Sequence, residues 1–526
     1  MASINRSPLV QSLLRPEAYP EQVAAVELVE THISYLFLTG HHVYKVKKPV
    51  DYGFLDFTTL VQRRYYCHHE VELNRRLSPQ VYLGVVEVKQ EGEEFSFGGA
   101  GDTVDYAVKM LQLPRERAMT HLLQRGRVNE ADIRRLAVKI ALFHREAASG
   151  PEITLLGDWA AVGQNIAENF QQTEGFIGTV LTQFEFDDLR AYSRAFLEQK
   201  RGLFDQRAEE GRIKDGHGDL HTAQIFLENG ISIIDCIEFN NRFRYLDVAE
   251  DIAFLAMDLD YHHRPDLSQL FVRTYTEESG DDGAAGLLDF FKVYRAHVRG
   301  KVTSFRLDDA QLDGGERERV LANARAYFQL AHSYLPVLPQ PALIMVAGLT
   351  GTGKSTLAQE LARRWNLSYI SSDITRKELA GVPLEEHRYQ DFARGIYSPD
   401  FSRRTYQAMM ARAERHLAEG RSVVMDGTFR RARERGLATE LGENQHAGVW
   451  LVECVLPPDI ARQRLDQRRE AGGAISDGRR EIYQQQQQEW EPVREVAGER
   501  HLLLDTSGSP AENVQELLYR FYCSLI

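Results

Sequence analysis

Cysteine is scarce in this chain. The 526 residues hold four, Cys67, Cys236, Cys454 and Cys523, and no two stand as Cys-x-x-Cys. That excludes a disulfide framework, disfavours a structural zinc site and suggests a reducing compartment. Long apolar runs are missing as well: none approaches the roughly 18–20 residues that a membrane helix needs. The opening Met1–Leu14 lacks the apolar stretch of a secretion signal, so the sequence reads as cytoplasmic and membrane-free. No internal repeat is visible, and the single low-complexity stretch, Gln484–Gln488, reads as a solvated helix face. Lysine nearly vanishes from the last third, where Lys354 and Lys377 are the only two after position 341.

What is present is a globular balance, 43% hydrophobic and 26% charged residues. At roughly 100–200 residues per domain the length implies about three to five structural units. The net charge of −13 argues against a general nucleic-acid binder, and it is unevenly placed. Residues 342–526 carry 25 basic against 26 acidic side chains, whereas residues 1–341 carry 38 against 50. The C-terminal part is thus almost neutral, and its cations are nearly all arginine, which suits planar phosphate contacts.

Three prolines in Leu335-Pro-Val-Leu-Pro-Gln-Pro341 cannot continue a helix and mark a connector at 336–341. Before it, Val26–Glu30, Tyr35–Leu38 and Val43–Lys47 are short strand-type runs, with Gly40-His41-His42 turning between the last two. From about Asp132 the spacing of Ile133, Leu136, Ala137, Ile140 and Phe143 is helical. A β-rich portion of about 1–112 therefore precedes a helical one of about 113–335. After the connector, apolar runs at 343–347, 367–371, 422–425, 449–455 and 502–504 alternate with helical stretches, the signature of a parallel sheet covered on both faces.

The first of these runs leads into Gly348-Leu-Thr-Gly-Thr-Gly-Lys-Ser-Thr356, a full phosphate-loop motif between a strand and a helix. Gly348, Gly351 and Gly353 let backbone amides, including those of Thr350, Thr352 and Thr356, turn inward on a phosphate chain; Lys354 meets the terminal phosphates and Ser355 can ligate Mg²⁺. Beyond the second run, Asp373 and Arg376 form Asp-x-x-Arg at the sheet edge where ligands bind. Asp373 is placed to take a proton from an acceptor hydroxyl, or else to cap the next helix, and Arg376 to hold acceptor or phosphate. Asp426 ends the third run and is placed to hold the Mg²⁺ shell or orient the acceptor. Arg462, Arg464, Arg468 and Arg469 precede a Gly- and Ser-containing segment and could close over the phosphates. Residues 342–526 resemble the P-loop small-molecule kinases of the gluconate kinase, zeta-toxin and polynucleotide-kinase group, which implies acceptor chemistry at Asp373 and Arg376.

Upstream, His217-Gly-Asp-Leu-His-Thr-Ala-Gln-Ile-Phe226 is followed by Ile231-Ser-Ile-Ile-Asp235. This resembles the aminoglycoside and choline phosphotransferase family, which shares the protein-kinase fold. The resemblance implies Asp219 as catalytic base and Asp235 as main metal ligand, with Gln224 at the family's asparagine, still able to offer an amide oxygen. Lys45 and Lys47 alternate onto one strand face and either can meet the nucleotide phosphates, Lys47 being favoured two residues before Pro49. Glu70, with Leu73 and Leu77 on one helical face, is the expected ion-pair partner, and Thr31–Ser34 the loop over the phosphates. Arg242 and Arg244 are expected to pair with Asp247 and Asp251, since buried charges need partners, while Glu238 is open to a substrate role. A zinc pair of His217 and His221 fits the segment less well than a kinase loop.

The expected architecture is an α+β bilobal protein-kinase-like domain, residues 1–335, followed by an α/β P-loop domain with a parallel sheet, residues 342–526. The expected function is tandem phosphotransfer from Mg²⁺-ATP to hydroxyls of small molecules of the sugar, amino sugar or nucleotide class. Two alternatives stand beside it: an ATP-binding N-terminal half that only regulates the P-loop half, and a toxin- or repair-like kinase acting on nucleotide-sugars or nucleic-acid ends.

Overall fold

The computed structural model describes residues 7–53, 55–228, 230–309, 312–384, 393–471 and 480–526, without the side chains of 468–471. The chain divides into two compact units, one of Met1–Leu181 with Lys200–Tyr334 and one of Thr182–Gln199 with Leu335–Ile526. Among the described residues no helix is long and apolar enough to cross a membrane, and the four cysteines are free thiols.

The first unit begins with an antiparallel six-stranded sheet of β1 (Glu27–Glu30), β2 (Ser34–Leu38), β3 (His42–Lys47), β4 (Tyr82–Glu91), β5 (Glu94–Phe97) and β6 (Asp102–Leu111), ordered β1-β2-β3-β6-β4-β5. The turn before β3 uses Gly40 at φ +91°, a conformation that costs glycine little. Strand β3 is covered on both faces. Tyr44 and Val46 join a core with Phe37, Val88 and Ala107, whereas Val43 faces Cys67 and Val71 of helix α1 (Leu60–Arg75). By the two-residue period of a strand, Lys45 and Lys47 share the face of Val43 and look at α1. A capping box between Thr59 and Gln62 fixes where α1 starts, and hence which of its residues, Glu70 among them, face the strand.

The helical portion follows. Helix α2 (Glu130–Glu146) buries the expected stripe of Ile133, Leu136, Ala137, Ile140 and Phe143. Between helices, the two-stranded pair Ile225–Leu227 and Ile231–Ile233 aligns Ile225 with Ile233. Because Gln224 precedes one strand and Asp235 follows the other, this hairpin delivers both to one end.

The second unit is built on a five-stranded, wholly parallel sheet, as the run spacing implies. Its strands are β7 (Ala342–Gly348), β8 (Ser368–Ser371), β9 (Val423–Asp426), β10 (Gly448–Val455) and β11 (His501–Asp505), ordered β8-β9-β7-β10-β11. Register sets Val346 and Ser371 level with Asp426, so the carboxyl ends of β7, β8 and β9 line up. Residues 335–341 hold neither helix nor strand.

One element departs from the sequence-based division. Helix α3 (Gln183–Gln199) groups with the second unit although it precedes the connector. Its buried Phe186, Tyr192 and Ala195 need an apolar partner, which they find in the chain's last helix, Pro510–Leu525; Tyr192 and Tyr522 rings meet edge-on at 5.7 Å. Asp187 also receives Arg364, at the end of the phosphate-loop helix, at 3.0 Å. Tyr192→Ala should therefore destabilise the second unit by about 3 kcal/mol. Hydrogen exchange should quicken at Val514–Phe521 and stay unchanged at Phe37–Val46; the reverse pattern would show that α3 supports the first unit.

Candidate active sites

In the first unit the two lysines of β3 converge on a single carboxylate. Lys45 Nζ reaches Glu70 Oε1 at 2.8 Å and Lys47 Nζ reaches Glu70 Oε2 at 2.7 Å, with Glu70 fully buried. Lys45 also contacts Asp235 Oδ1 at 2.8 Å, while Lys47 is taken up on its other side by Glu238 and lies 4.8 Å over the Phe57 ring. Burial pushes the Glu70 carboxyl up, but the two ammonium groups outweigh it and hold the group below its ordinary range. For Lys45 burial is likewise outweighed, by Asp235 and Glu70, so its ammonium is firmly retained. The sequence reading favoured Lys47; the structure puts Lys45, not Lys47, against Asp235, and encloses Lys47 between Glu70 and Glu238.

The His217–Asp219 turn is clamped from behind. Asp251 accepts the backbone N–H of His217 at 2.7 Å and of Gly218 at 3.0 Å, and Arg295 Nη1 donates to the Gly218 carbonyl at 2.9 Å while pairing with Glu250. Gly218 sits at φ +83°, and a Cβ there would come within 2.5 Å of the Phe243 carbonyl oxygen, so only glycine fits. Burial raises the Asp219 carboxyl, and His221, 3.3 Å away, together with Arg299 and His217 outweighs that and holds it below its ordinary range. The Gln224 side-chain amide donates to Asp219 at 3.5 Å and to Asp235 at 3.2 Å, so one amide spans both carboxylates. Thr31–Ile33 form the β1–β2 turn, where Thr31 Oγ accepts the Ser34 N–H.

The expected pairing of Arg242 and Arg244 with Asp247 and Asp251 is not what forms. Arg244 pairs with Asp215 at 2.8 Å and Arg242 with Glu168 and Asn165, while Asp247 takes Arg207 at 2.7 Å and Asp251 takes His144 at 3.2 Å. The partners come from a strand end and from helices distant in sequence, which local charge density cannot reveal. The clamping roles of Asp251, Arg295 and Glu250 were missed for the same reason.

In the second unit Gly348, Gly351 and Gly353 take φ of +148°, +84° and +80°. Gly353 is the N-cap of helix α4 (Lys354–Arg364), so the loop runs into the positive end of that helix, with the Thr350 N–H, expected to face a phosphate, taken instead by the Gln486 side chain. Gly348 is compelled by space too, since a Cβ would fall 2.7 Å from the Cys454 carbonyl oxygen. Thr350 and Thr352 are buried, Ser355 half-buried and Thr356 exposed. The Lys354 ammonium folds back to the Leu349 carbonyl at 3.4 Å. Burial pushes the Asp426 carboxyl up, against the opposing influence of the Lys354 charge and of the nearby Ser355 and Tyr369 hydroxyls. Its Oδ2 accepts the Tyr369 hydroxyl at 2.7 Å, and its buried Oδ1 has no partner among the described residues. The Ser355 hydroxyl and the orphaned Asp426 carboxylate oxygen beside a phosphate loop are oxygen donors of the kind Mg²⁺ takes.

Asp373 stands in the first turn of helix α5 (Ser372–Ala380), and the capping role falls to Ser371, whose hydroxyl accepts the Ile374 N–H. The Asp373 carboxylate is therefore not used as the cap and acts electrostatically on Asp426. Arg376 is tied to the chain opposite, donating to the Ile396 carbonyl at 2.7 Å and Ser402 Oγ at 3.1 Å, with its buried Nε lacking a partner among the described residues. Of the arginines expected over the phosphates, Arg464 is beside the loop: a Cβ on Gly353 would lie 3.9 Å from its Nη1. The side chains of Arg468 and Arg469 lie outside the described residues.

Residues 343–493 match the family described as an AAA domain. The chain is 32% identical over 460 residues, 87% of its length and 88% of the other's, to "Uncharacterized protein Rv2004c" of Mycobacterium tuberculosis, and equally to a counterpart in Mycobacterium bovis. The chain belongs to the family of these mycobacterial proteins. Shorter matches include an adenylate kinase of Pyrococcus furiosus, 37% identical over 99 residues, 18% of this chain and 42% of that one. Among solved structures, the aminoglycoside 2'-phosphotransferase-IIIa GDP complex aligns over 59% of this chain and 94% of its own, at 15% identity and TM-score 0.37. A gluconokinase from Sinorhizobium meliloti 1021 aligns over 34% and 90%, at 20% identity and TM-score 0.24. The chain pairs an α+β unit on an antiparallel sheet with a P-loop α/β unit on a parallel sheet, and the match to the AAA-domain family falls within the second.

Two outcomes test this geometry. Glu70 is held below its ordinary value of 4.5, so the stability it contributes is present above that pH and is lost as pH falls below it. Glu70→Gln should lower stability at pH 7 and flatten the acid limb of a denaturation series. Asp251→Ala strands two buried N–H groups and should cost about 3 kcal/mol in urea unfolding, whereas an effect under about 0.5 kcal/mol would show that the clamp is idle.

Proposed function

We propose that this chain is a tandem kinase, each unit transferring the γ-phosphoryl group of ATP to a hydroxyl of a small molecule of the sugar, amino sugar or nucleotide class. The observation that carries the reading is the alignment, at one sheet edge, of the phosphate loop, Ser355, Asp426 with its orphaned oxygen, and Asp373. Short matches to proteins named adenylate kinase and shikimate kinase support it.

In the second unit the loop amides and Lys354 hold the phosphates, and Ser355 and Asp426 hold Mg²⁺, which when bound neutralises phosphate charge. Asp373 orients the acceptor hydroxyl and receives its proton as the hydroxyl oxygen bonds to the γ-phosphorus and the bond to the β-phosphate oxygen breaks. Arg376, anchored on the 395–402 segment, supports the acceptor side. In the first unit Lys45 is the lysine for the phosphates, positioned by Glu70; Asp219 is the base, and Asp235 with the Gln224 amide oxygen is the metal side. Two carboxylates within reach of one amide fit Mg²⁺ once that amide presents its oxygen.

A specific observation favours a second reading of the first unit, as an ATP-binding regulator. The Gln224 side-chain nitrogen, not its oxygen, faces both carboxylates and donates a hydrogen bond to each.

Lys354→Ala should reduce ATP turnover by the P-loop unit about 100-fold or more, and Asp219→Ala should remove what remains. Undiminished turnover in the double variant overturns the proposal. In the Lys354→Ala chain, Gln224→Asn should raise residual Mg²⁺-dependent turnover; zero turnover with either residue assigns the first unit to regulation.

A further inference from the structure

The glutamine run Gln484–Gln488 lies in the short helix Arg480–Gln488, and four of its five side chains are exposed as a solvated face requires. Gln486 is the exception. It is 8% exposed, on the same helical face as buried Tyr483 three residues earlier, and its Oε1 accepts the backbone N–H of Thr350 inside the phosphate loop at 2.9 Å. The surroundings belong to the loop as well. Tyr483 packs with Leu456, Ala461 and Leu465 against Leu349, and a Cβ on Gly351 would fall 2.9 Å from Leu465 Cγ. The Thr350 hydroxyl is buried without a partner among the described residues.

A phosphate loop works by aiming N–H donors at an anion, so a donor given to a side chain is a choice of loop shape. We propose that Gln486 is a positioning residue of the phosphate loop: it fixes the 349–350 peptide so that the following amides face the nucleotide, and it does so as a neutral acceptor because a carboxylate would repel the phosphates. This rests on the reading of the second unit as a nucleotide site. The chemistry explains why an amide stands there: glutamine and glutamate have the same length and both accept an N–H, but glutamate adds a negative charge beside a polyanion. Ligand on the loop also steadies the Arg480–Gln488 helix through the same hydrogen bond.

The test uses the full chain, with Mg²⁺-ATP as probe, and reads hydrogen-exchange protection of residues 348–357 as ATP is titrated, so that the first unit's own binding does not enter. Gln486→Glu keeps shape and acceptor; half-saturating ATP should rise about tenfold or more, the rise should shrink with added salt, and thermal unfolding should hold. Gln486→Met, which loses the acceptor, should raise half-saturation with no salt dependence of the change. A merely structural glutamine predicts that the Glu variant titrates like the parent, and that result overturns the inference, whatever the Met variant does. Protection in the parent chain but no shift in either variant does the same while leaving the nucleotide site intact. No protection in the parent overturns the nucleotide reading and this inference with it.

Discussion

A charge withdrawn from water must find its counterpart inside the protein, and in the first unit that constraint falls on one carboxylate. Glu70 is fully buried and answers two ammonium groups at once. Because Lys45 and Lys47 are two apart on β3 they cannot avoid the same face, and because α1 is fixed by its cap, Glu70 cannot avoid them. The remaining valence of each lysine then goes outward, Lys45 to Asp235 and Lys47 to Glu238, which ties the sheet to the segment after the 225–233 hairpin. The geometry of the candidate site follows from this chain of charge pairing, since moving any member leaves an uncompensated buried ion.

The second unit meets the same constraint by other means. Its ligand-facing positive field is made mostly of backbone amides and a helix end, which carry no desolvated full charge when the site is empty of anion. Lys354 rests on a carbonyl of its own loop, and one buried Asp426 oxygen has no hydrogen-bond partner among the described residues.

Legibility followed the range of the interaction. The phosphate loop, the five parallel strands and the alternation that pairs Lys45 with Lys47 were readable because a strand period or a contiguous motif carries them. The choice between the two lysines was not, because it depends on where Asp235 arrives, 190 positions further on. The partners of Arg242, Arg244, Asp247 and Asp251 were misassigned by proximity in sequence, and Arg376 proved to be anchored to carbonyl and hydroxyl groups of a neighbouring segment. Gln486 was hidden in a run whose composition says only that it is polar, and burial singles out one position of five.

From the sequence alone come the two kinds of fold, the phosphate loop with its glycines and Lys354, and the pairs of carboxylates set at strand ends, because short-range steric and hydrogen-bonding rules act on neighbouring residues. Tertiary structure decided which lysine meets Asp235, that Ser371 and not Asp373 caps its helix, that Gln183–Gln199 completes the second unit's packing, and that Asp251 and Arg295 grip the Gly218 backbone. Those are contacts between residues far apart along the chain, selected by which buried charge or apolar face is left unsatisfied once the local elements have formed.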